Sequence, residues 1–422
     1  MSAVWSILER SLPRVSAAVV MVLFAAVSTP QIVGIYSVLV ILTTGLQSAF
    51  ELPIRQYAVG LIESRLGMRW LRRYQLTYAL IGAAAILGMV LLLFRTSPAD
   101  VPPTQILVMG LMAIVPVLNA AGTAAVARLQ MANRWRFLAG IQLVALACGM
   151  AVAVPALLWT HGSLGPVLLA VVSEAVTTVV VVFAAGRVAS QIRTLSDPFI
   201  PSRPEYLAVV VTSLSVWIQG NLDRLLIAAF AGAAALGLYS FAWAVARSFT
   251  DASAAGLINL LRPRLITVAK DARSGVLSAL ARPAIPLVGL ASLTIAIGAV
   301  IVIPLILSAD WLPVLSVVPL ISLVAMPAVY EALTQTYLIV DGRAKSLYVV
   351  RAVAIGLTIP VGLAAIVSLQ LAAIVLFVRQ IVTLVLTLRI ARLRPEAGLL
   401  LRSGVVLLLQ LSLALGAFLL YS

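Results

Sequence analysis

The chain is 422 residues long, 63% hydrophobic and only 10% charged, where a soluble domain runs nearer ~45–50% and ~25%. So few charges cannot cover a water-facing surface of this size, and most of the exterior must face lipid. The net charge of +15, from 27 Arg and 2 Lys against 14 acids, would suit a nucleic-acid binder if the protein were soluble. One cysteine, Cys148, and one histidine, His161, argue against disulfides, Fe–S clusters, Cys- or His-based metal centres and a Ser–His–Asp triad. Composition therefore predicts an all-α polytopic membrane protein with no metal, no cofactor, no nucleic-acid partner and no enzymatic activity.

A spanning helix needs ~20 mostly apolar residues, because in lipid each backbone N–H and C=O is satisfied within the helix. In chain order the sequence offers thirteen such runs: 14–28, 33–52, 75–94, 105–127, 137–159, 165–186, 205–230, 237–259, 283–307, 313–339, 347–368, 371–388 and 403–421. Arg10 and Arg14 followed by the apolar run 15–27 imitate a signal peptide; the duplication described next argues that this run is kept as the first span. Lys and Arg stay on the cytoplasmic side of a membrane. With the N-terminus cytoplasmic, the inner segments hold 24 basic residues and the outer ones a single arginine, Arg95. Four arginines, Arg224, Arg247, Arg351 and Arg379, remain inside spans. Most of the basic excess is thus an orientation signal with an attraction to anionic lipid.

The chain repeats itself. Gly34-Ile35-Tyr36-Ser37 recurs as Gly237-Leu238-Tyr239-Ser240, and Val115-Pro116 as Val318-Pro319, both at an offset of 203. Arg134-Trp135-Arg136 aligns with Arg343-Ala344-Lys345 at 209, and the five-basic loops 53–74 and 260–282 correspond. An even number of spans per repeat makes the duplication parallel, about an axis along the membrane normal. This predicts a six-helix lobe over 1–203, a second over 204–390, and a basic linker with a peripheral C-terminal helix over 391–422. A substrate cleft is expected between the lobes. Pro116, Pro319, Pro327 and Pro360 inside spans read equally as hinges for rocking or as kinks that improve packing.

The stretch Gln219-Gly-Asn-Leu-Asp-Arg-Leu-Leu-Ile227, with Ala235-Leu-Gly-Leu-Tyr-Ser-Phe-Ala242, resembles the bacterial polysaccharide transporters, the O-antigen or lipid-linked oligosaccharide flippases of the multidrug/oligosaccharidyl-lipid/polysaccharide (MOP) exporter superfamily. Val33-Gly-Ile-Tyr-Ser37, Glu51-Leu-Pro-Ile-Arg55 and Arg128-Leu-Gln130 through Phe137 match corresponding features of the first half. The resemblance implies two lobes forming a V around a cationic cavity. It also implies transfer of a polyprenyl-diphosphate-linked saccharide from the cytoplasmic to the outer leaflet of the inner membrane. Glycosyltransferases and a glycan polymerase are the partners it suggests. The thirteenth apolar segment departs from a family that usually shows twelve or fourteen.

An arginine at bilayer depth costs ~2.5–3.5 kcal/mol on insertion scales and is expected to face protein or water. Arg247, ten residues into the eighth span, lies ~15 Å from its outer end at 1.5 Å per residue, and Arg379 is at similar depth in the twelfth. Arg224 lies ~10 Å from the outer end of the seventh. With Arg14 and Arg55 at the cytoplasmic ends of the first two spans, these are the candidate diphosphate and saccharide ligands, because guanidinium pairs phosphate oxygens bidentately and keeps its charge when desolvated. Arg247 and Asp251 are four residues apart on one face, so mutual neutralisation is an equal alternative. Glu174, mid-depth among Ser173, Thr177 and Thr178, is the first candidate for coupling to protons or sodium ions, with Asp223 and Asp251 behind it; a glutamate that only packs the first lobe is the competing reading. Glu51 with Arg55 and Glu331 with Gln335 read as helix-end pairs. A cation-coupled multidrug or small-solute exporter of the same superfamily is the alternative function, and an enzyme of glycan assembly a more distant one.

Overall fold

The computed structural model describes residues 19–51, 53–54, 57–58, 65–96, 101–132, 134–160, 162–188 and 202–421. Among these every regular element is helical. In chain order they are α1 (19–27), α2 (Pro30–Leu46, ending in a π turn, Gln47–Glu51), α3 (Arg65–Thr96), α4 (Pro103–Met131) and α5 (Trp135–Thr160). Next come α6 (Leu164–Val188), α7 (203–231), α8 (233–267), α9 (Arg273–Ile306) and α10 (Ala309–Ser322 with Ala325–Val340). The last are α11 (Ala344–Val367), α12 (Leu369–Ala391) and α13 (Ala397–Tyr421).

The helices α7 and α8 form one unbroken stretch, Arg203–Thr267, apart from Gly232 at φ 87, ψ 178. They are nonetheless two spans. The Tyr239 hydroxyl reaches the Asp223 carboxylate at 2.8 Å, whereas along one straight helix sixteen residues would separate them by ~24 Å. The chain therefore reverses at Gly232, a positive-φ position that glycine alone adopts without strain. Ten helices are long and apolar enough to cross a membrane, or eleven with the bent pair of α10. Dividing Arg203–Thr267 at Gly232 adds a twelfth, and α1 is the described part of a thirteenth. The chain is a multi-pass membrane protein, and large side chains such as Leu305, Val367 and Leu420 stand more than 70% exposed to the lipid.

Helix boundaries follow local chemistry. Ser202 and Glu205 cap α7 reciprocally, with the Glu205 carboxylate accepting from both the Ser202 N–H and its hydroxyl at 2.9 Å. A single extended residue, Ser368, separates α11 from α12, and its hydroxyl accepts from the Leu371 N–H at 3.1 Å. Three intramembrane prolines mark breaks one turn upstream, since a proline leaves the carbonyl four residues earlier without its N–H, whereas Pro155, Pro286 and Pro319 lie inside continuous helices. Pro116 follows the 3-10 turn Gly110–Ala113, Pro327 follows the 40° bend of α10 at residues 323–324, and Pro360 follows the break at Leu357.

The chain forms two compact units. The first contains Ile35–Asn221, the second Leu222–Ser422 with the described part of Arg10–Gly34. In the first, α4, α5 and α6 pack through Leu129, Leu138, Ile141 and Val181, and the Trp217 indole donates to the Thr44 hydroxyl at 3.1 Å. In the second, α8, α9, α10 and α13 bury Leu261, Leu277, Ile285, Leu333 and Val406. Helix α13 lies along α9 and the first half of α10. Its fully buried Gln410 donates to the carbonyl of Gly289 at 3.2 Å and more weakly to that of Ser322.

The second unit also records the duplication. A Cβ on Gly34 would lie 1.7 Å from the carbonyl oxygen of Ala233, and one on Gly237 would lie 1.8 Å from that of Pro30. Pro30 and Ala233 are related by the same offset of 203 as the two glycines. The contact is therefore isologous, as a local two-fold requires. Small residues at that crossing let the two backbones touch.

Candidate functional site

The second unit gathers three of the predicted arginines. Just before the Gly232 reversal α7 presents Asp223 and Arg224 on adjacent faces; just after it α8 presents Tyr239 and Trp243, one turn apart. Asp223 is 1% exposed, and its Oδ2 accepts from Tyr239; its Oδ1 has no hydrogen-bond partner among the described residues. Trp243 carries two cations: the guanidinium carbons of Arg224 and Arg247 lie 5.3 Å and 4.9 Å from its ring centroid. Arg247 Nη2 also pairs with Asp251 Oδ1 at 3.1 Å, and Asp251 is 40% exposed.

Arg379 enters from α12. It is 8% exposed, and its Nη1 donates to the Thr358 hydroxyl at 2.8 Å, at the break that begins the second half of α11. Arg379 and Arg224 both act electrostatically on Tyr239 beside Asp223, and Arg379 acts likewise on Glu331. Glu331, on the second half of α10, is 4% exposed. One of its oxygens accepts from Gln335 at 2.8 Å, the other from Thr383 at 2.9 Å and from Gln380. A polar chain thus runs Glu331, Arg379, Tyr239–Asp223, Arg224, Trp243, Arg247, Asp251. Three guanidiniums are matched by three carboxyl groups, and the least buried carboxylate, Asp251, is the one best able to give up its arginine to an incoming anion.

Several expectations change. The helix-end reading of Glu331 with Gln335 is corrected: the pair exists, but within a buried network that joins α10 to α12. Since α8 starts directly after Gly232, Arg247 lies ~22 Å along the helix from the turn, deeper than the ~15 Å implied by a span beginning at 237. Glu174 is on α6 of the first unit, half-buried. The hydroxyls of Ser173, Thr177 and Thr178 give their protons to the carbonyls of Leu169, Ser173 and Leu118, so those protons are committed to backbone. Arg14, Arg55 and His161 lie outside the described residues. Trp243, Tyr239 and Thr358 carry no intramembrane charge, so nothing in the sequence marks them as site residues.

This architecture is the fold of MOP-superfamily flippases and transporters. The lipid II flippase MurJ in its inward closed conformation superposes with a TM-score of 0.66 at 11% identity, over 99% of this chain and 97% of that one. An inward-facing multidrug resistance MATE family transporter of the MOP superfamily gives 0.57 at 13%, over 96% and 99%. A single-residue mutant of the Vibrio cholerae MATE transporter VcmN gives 0.50 at 14%, over 94% and 97%. At such identities the likeness is one of fold. Curated protein sequences give no match. The family model described as "Polysaccharide biosynthesis protein" matches residues 72–316, more than half of the chain, and the protein belongs to that family.

Proposed function

We propose that the protein translocates a polyprenyl-diphosphate-linked oligosaccharide from the cytoplasmic to the outer leaflet of a bacterial inner membrane, by alternating access, for a surface polysaccharide such as O-antigen. Family membership supports the pathway, and the basic residues on one side of the spans support a cytoplasmic N-terminus. The observation that carries the substrate class is Trp243, with Arg224 and Arg247 both on its ring. A transporter of organic cations needs such aromatic faces free, whereas here they are taken by guanidiniums that suit phosphate oxygens. In this reading the diphosphate displaces Asp251 from Arg247 and is shared with Arg224 and Arg379, while Arg14 and Arg55 contribute at first capture. Asp223, buried and with one oxygen open, is the preferred coupling group for a proton or sodium ion, with Glu174 and Asp251 secondary. Glycosyltransferases and a glycan polymerase supply and consume the cargo.

The even balance of buried arginines and carboxylates favours a second reading, a cation-coupled multidrug exporter. The two are separated in proteoliposomes holding the purified protein. Flipping of a fluorescent lipid-diphosphate saccharide should fall at least tenfold in Arg247→Ala and Arg379→Ala, with Lys at either position recovering only part. Unchanged flipping in both Ala variants refutes the pocket.

A further inference from the structure

A second cationic site lies at the cytoplasmic end of the second unit, away from the arginine chain. A cavity of 530 Å³ is lined by Ser274, Ser278 and Arg282, one stripe of α9, and by Arg392, Arg394 and Glu396 of the segment joining α12 to α13. Arg282 pairs with Glu396 at 3.4 Å, and its guanidinium lies against Gly398 at the start of α13. Among the described residues no ion pair includes Arg392 or Arg394, so the cavity keeps two uncompensated cations.

Two further observations show that this is more than the usual cytoplasmic charge bias. Arg392 has φ 58, ψ 34 and ends α12. The Leu393 N–H returns to the Leu388 carbonyl and the Arg392 N–H to that of Arg389, a motif whose left-handed position is normally glycine. An arginine there is strained, and the residue lines the cavity. The second observation is depth. About 20 residues of α9, counted back from Ile306, cross the ~30 Å hydrocarbon core, which puts Arg282 ~6 Å below it. That is the head-group layer, with Ser278 and Ser274 beyond it toward water.

We propose that this cavity binds the phosphate of an anionic cytoplasmic-leaflet lipid, held by Arg392 and Arg394, the former ~5 Å below the core by the same count along α12. Phosphate is the shared chemistry of a lipid head group and of the free ion, and the site's depth favours the lipid. Native mass spectrometry of the full chain in neutral detergent, titrated with phosphatidylglycerol, phosphatidylcholine or inorganic phosphate, tests it. The wild type should hold one phosphatidylglycerol about tenfold more tightly than phosphatidylcholine, and millimolar inorganic phosphate should not displace it. Arg392→Gly should lose that preference while melting at the same or a higher temperature, because glycine relieves the strained φ. Ser278→Leu should lose it by filling the cavity with the charges intact. Arg262→Gln with Arg264→Gln, at the cytoplasmic end of α8, should keep it. Full retention in Arg392→Gly, equal loss in the Arg262/Arg264 control, or displacement by inorganic phosphate would each overturn the proposal.

Discussion

Removing the ring that holds Arg224 and Arg247 tests whether their placement, and not merely their charge, matters. Trp243→Leu keeps an apolar side chain and both guanidiniums but deletes two cation–π contacts, at 5.3 Å and 4.9 Å. Each is worth ~0.5–1 kcal/mol at an exposed site and ~2 when desolvated. The Arg247 side chain is 14% exposed, so about 1–1.5 kcal/mol per contact is reasonable, or about 2–3 kcal/mol for the pair. At 1.4 kcal/mol per decade that corresponds to about 30- to 150-fold weaker capture of a substrate that needs both arginines in place. Trp243→Phe, with a weaker quadrupole, should lose less than half of this on the free-energy scale. The assay is initial-rate flipping of a fluorescent lipid-diphosphate saccharide, with protein quantity and monodispersity checked in detergent. Wild-type flipping by a stable Trp243→Leu protein refutes the reasoning.

Single contacts elsewhere in the molecule give further tests. Asp223→Asn should abolish acceleration by an imposed proton or sodium gradient while leaving lipid-diphosphate binding within about threefold, a separation that binding and gradient-driven flipping measure directly. Gly34→Ala or Gly237→Ala should each cost about 1–3 kcal/mol or more by overpacking, because the added methyl meets a backbone carbonyl. The double variant should cost clearly less than the sum, since one separation of the backbones accommodates both methyls, and thermal melting of the four proteins reads this coupling. Gln410→Leu should destabilise the protein by about 0.5–1.5 kcal/mol, the net worth of the one buried hydrogen bond it removes, since the Gly289 carbonyl keeps its helical N–H and Ser322 keeps its bond from Ser292 at 3.3 Å. An unchanged melting temperature would contradict that assignment.

Much of the fold was legible because lipid imposes length and apolarity on each span and the basic residues mark one side. The division between α7 and α8 was expected over 231–236, but the sharpness of the reversal was not legible: the run there is apolar throughout, and the φ of Gly232 is what turns the chain. The arginines were legible for the opposite reason, since a charge inside a span always demands a partner. Their partners were not. Tyr239, Trp243 and Thr358 look like ordinary span residues, and Glu331 becomes a buried hub only when the fold delivers Gln380 and Thr383, about fifty positions away. The duplication explains the scaffold but not the site. At the offset of 203, Asp223, Arg224, Arg247, Asp251 and Arg379 correspond to the uncharged Val20, Met21, Thr44, Ser48 and Val176, and Glu331 to Arg128, so the charge pattern of the second repeat is not copied in the first.

The central claim is that the buried arginines serve a lipid-linked diphosphate and not an organic cation. One measurement puts both cargoes to the same protein: proteoliposomes containing the purified wild type and the Arg247→Ala/Arg379→Ala double variant, assayed side by side for flipping of a polyprenyl-diphosphate oligosaccharide and for gradient-driven movement of a cationic dye. The account predicts that the wild type flips the lipid and ignores the dye, and that the double variant does neither. Dye transport without lipid flipping by the wild type would contradict it.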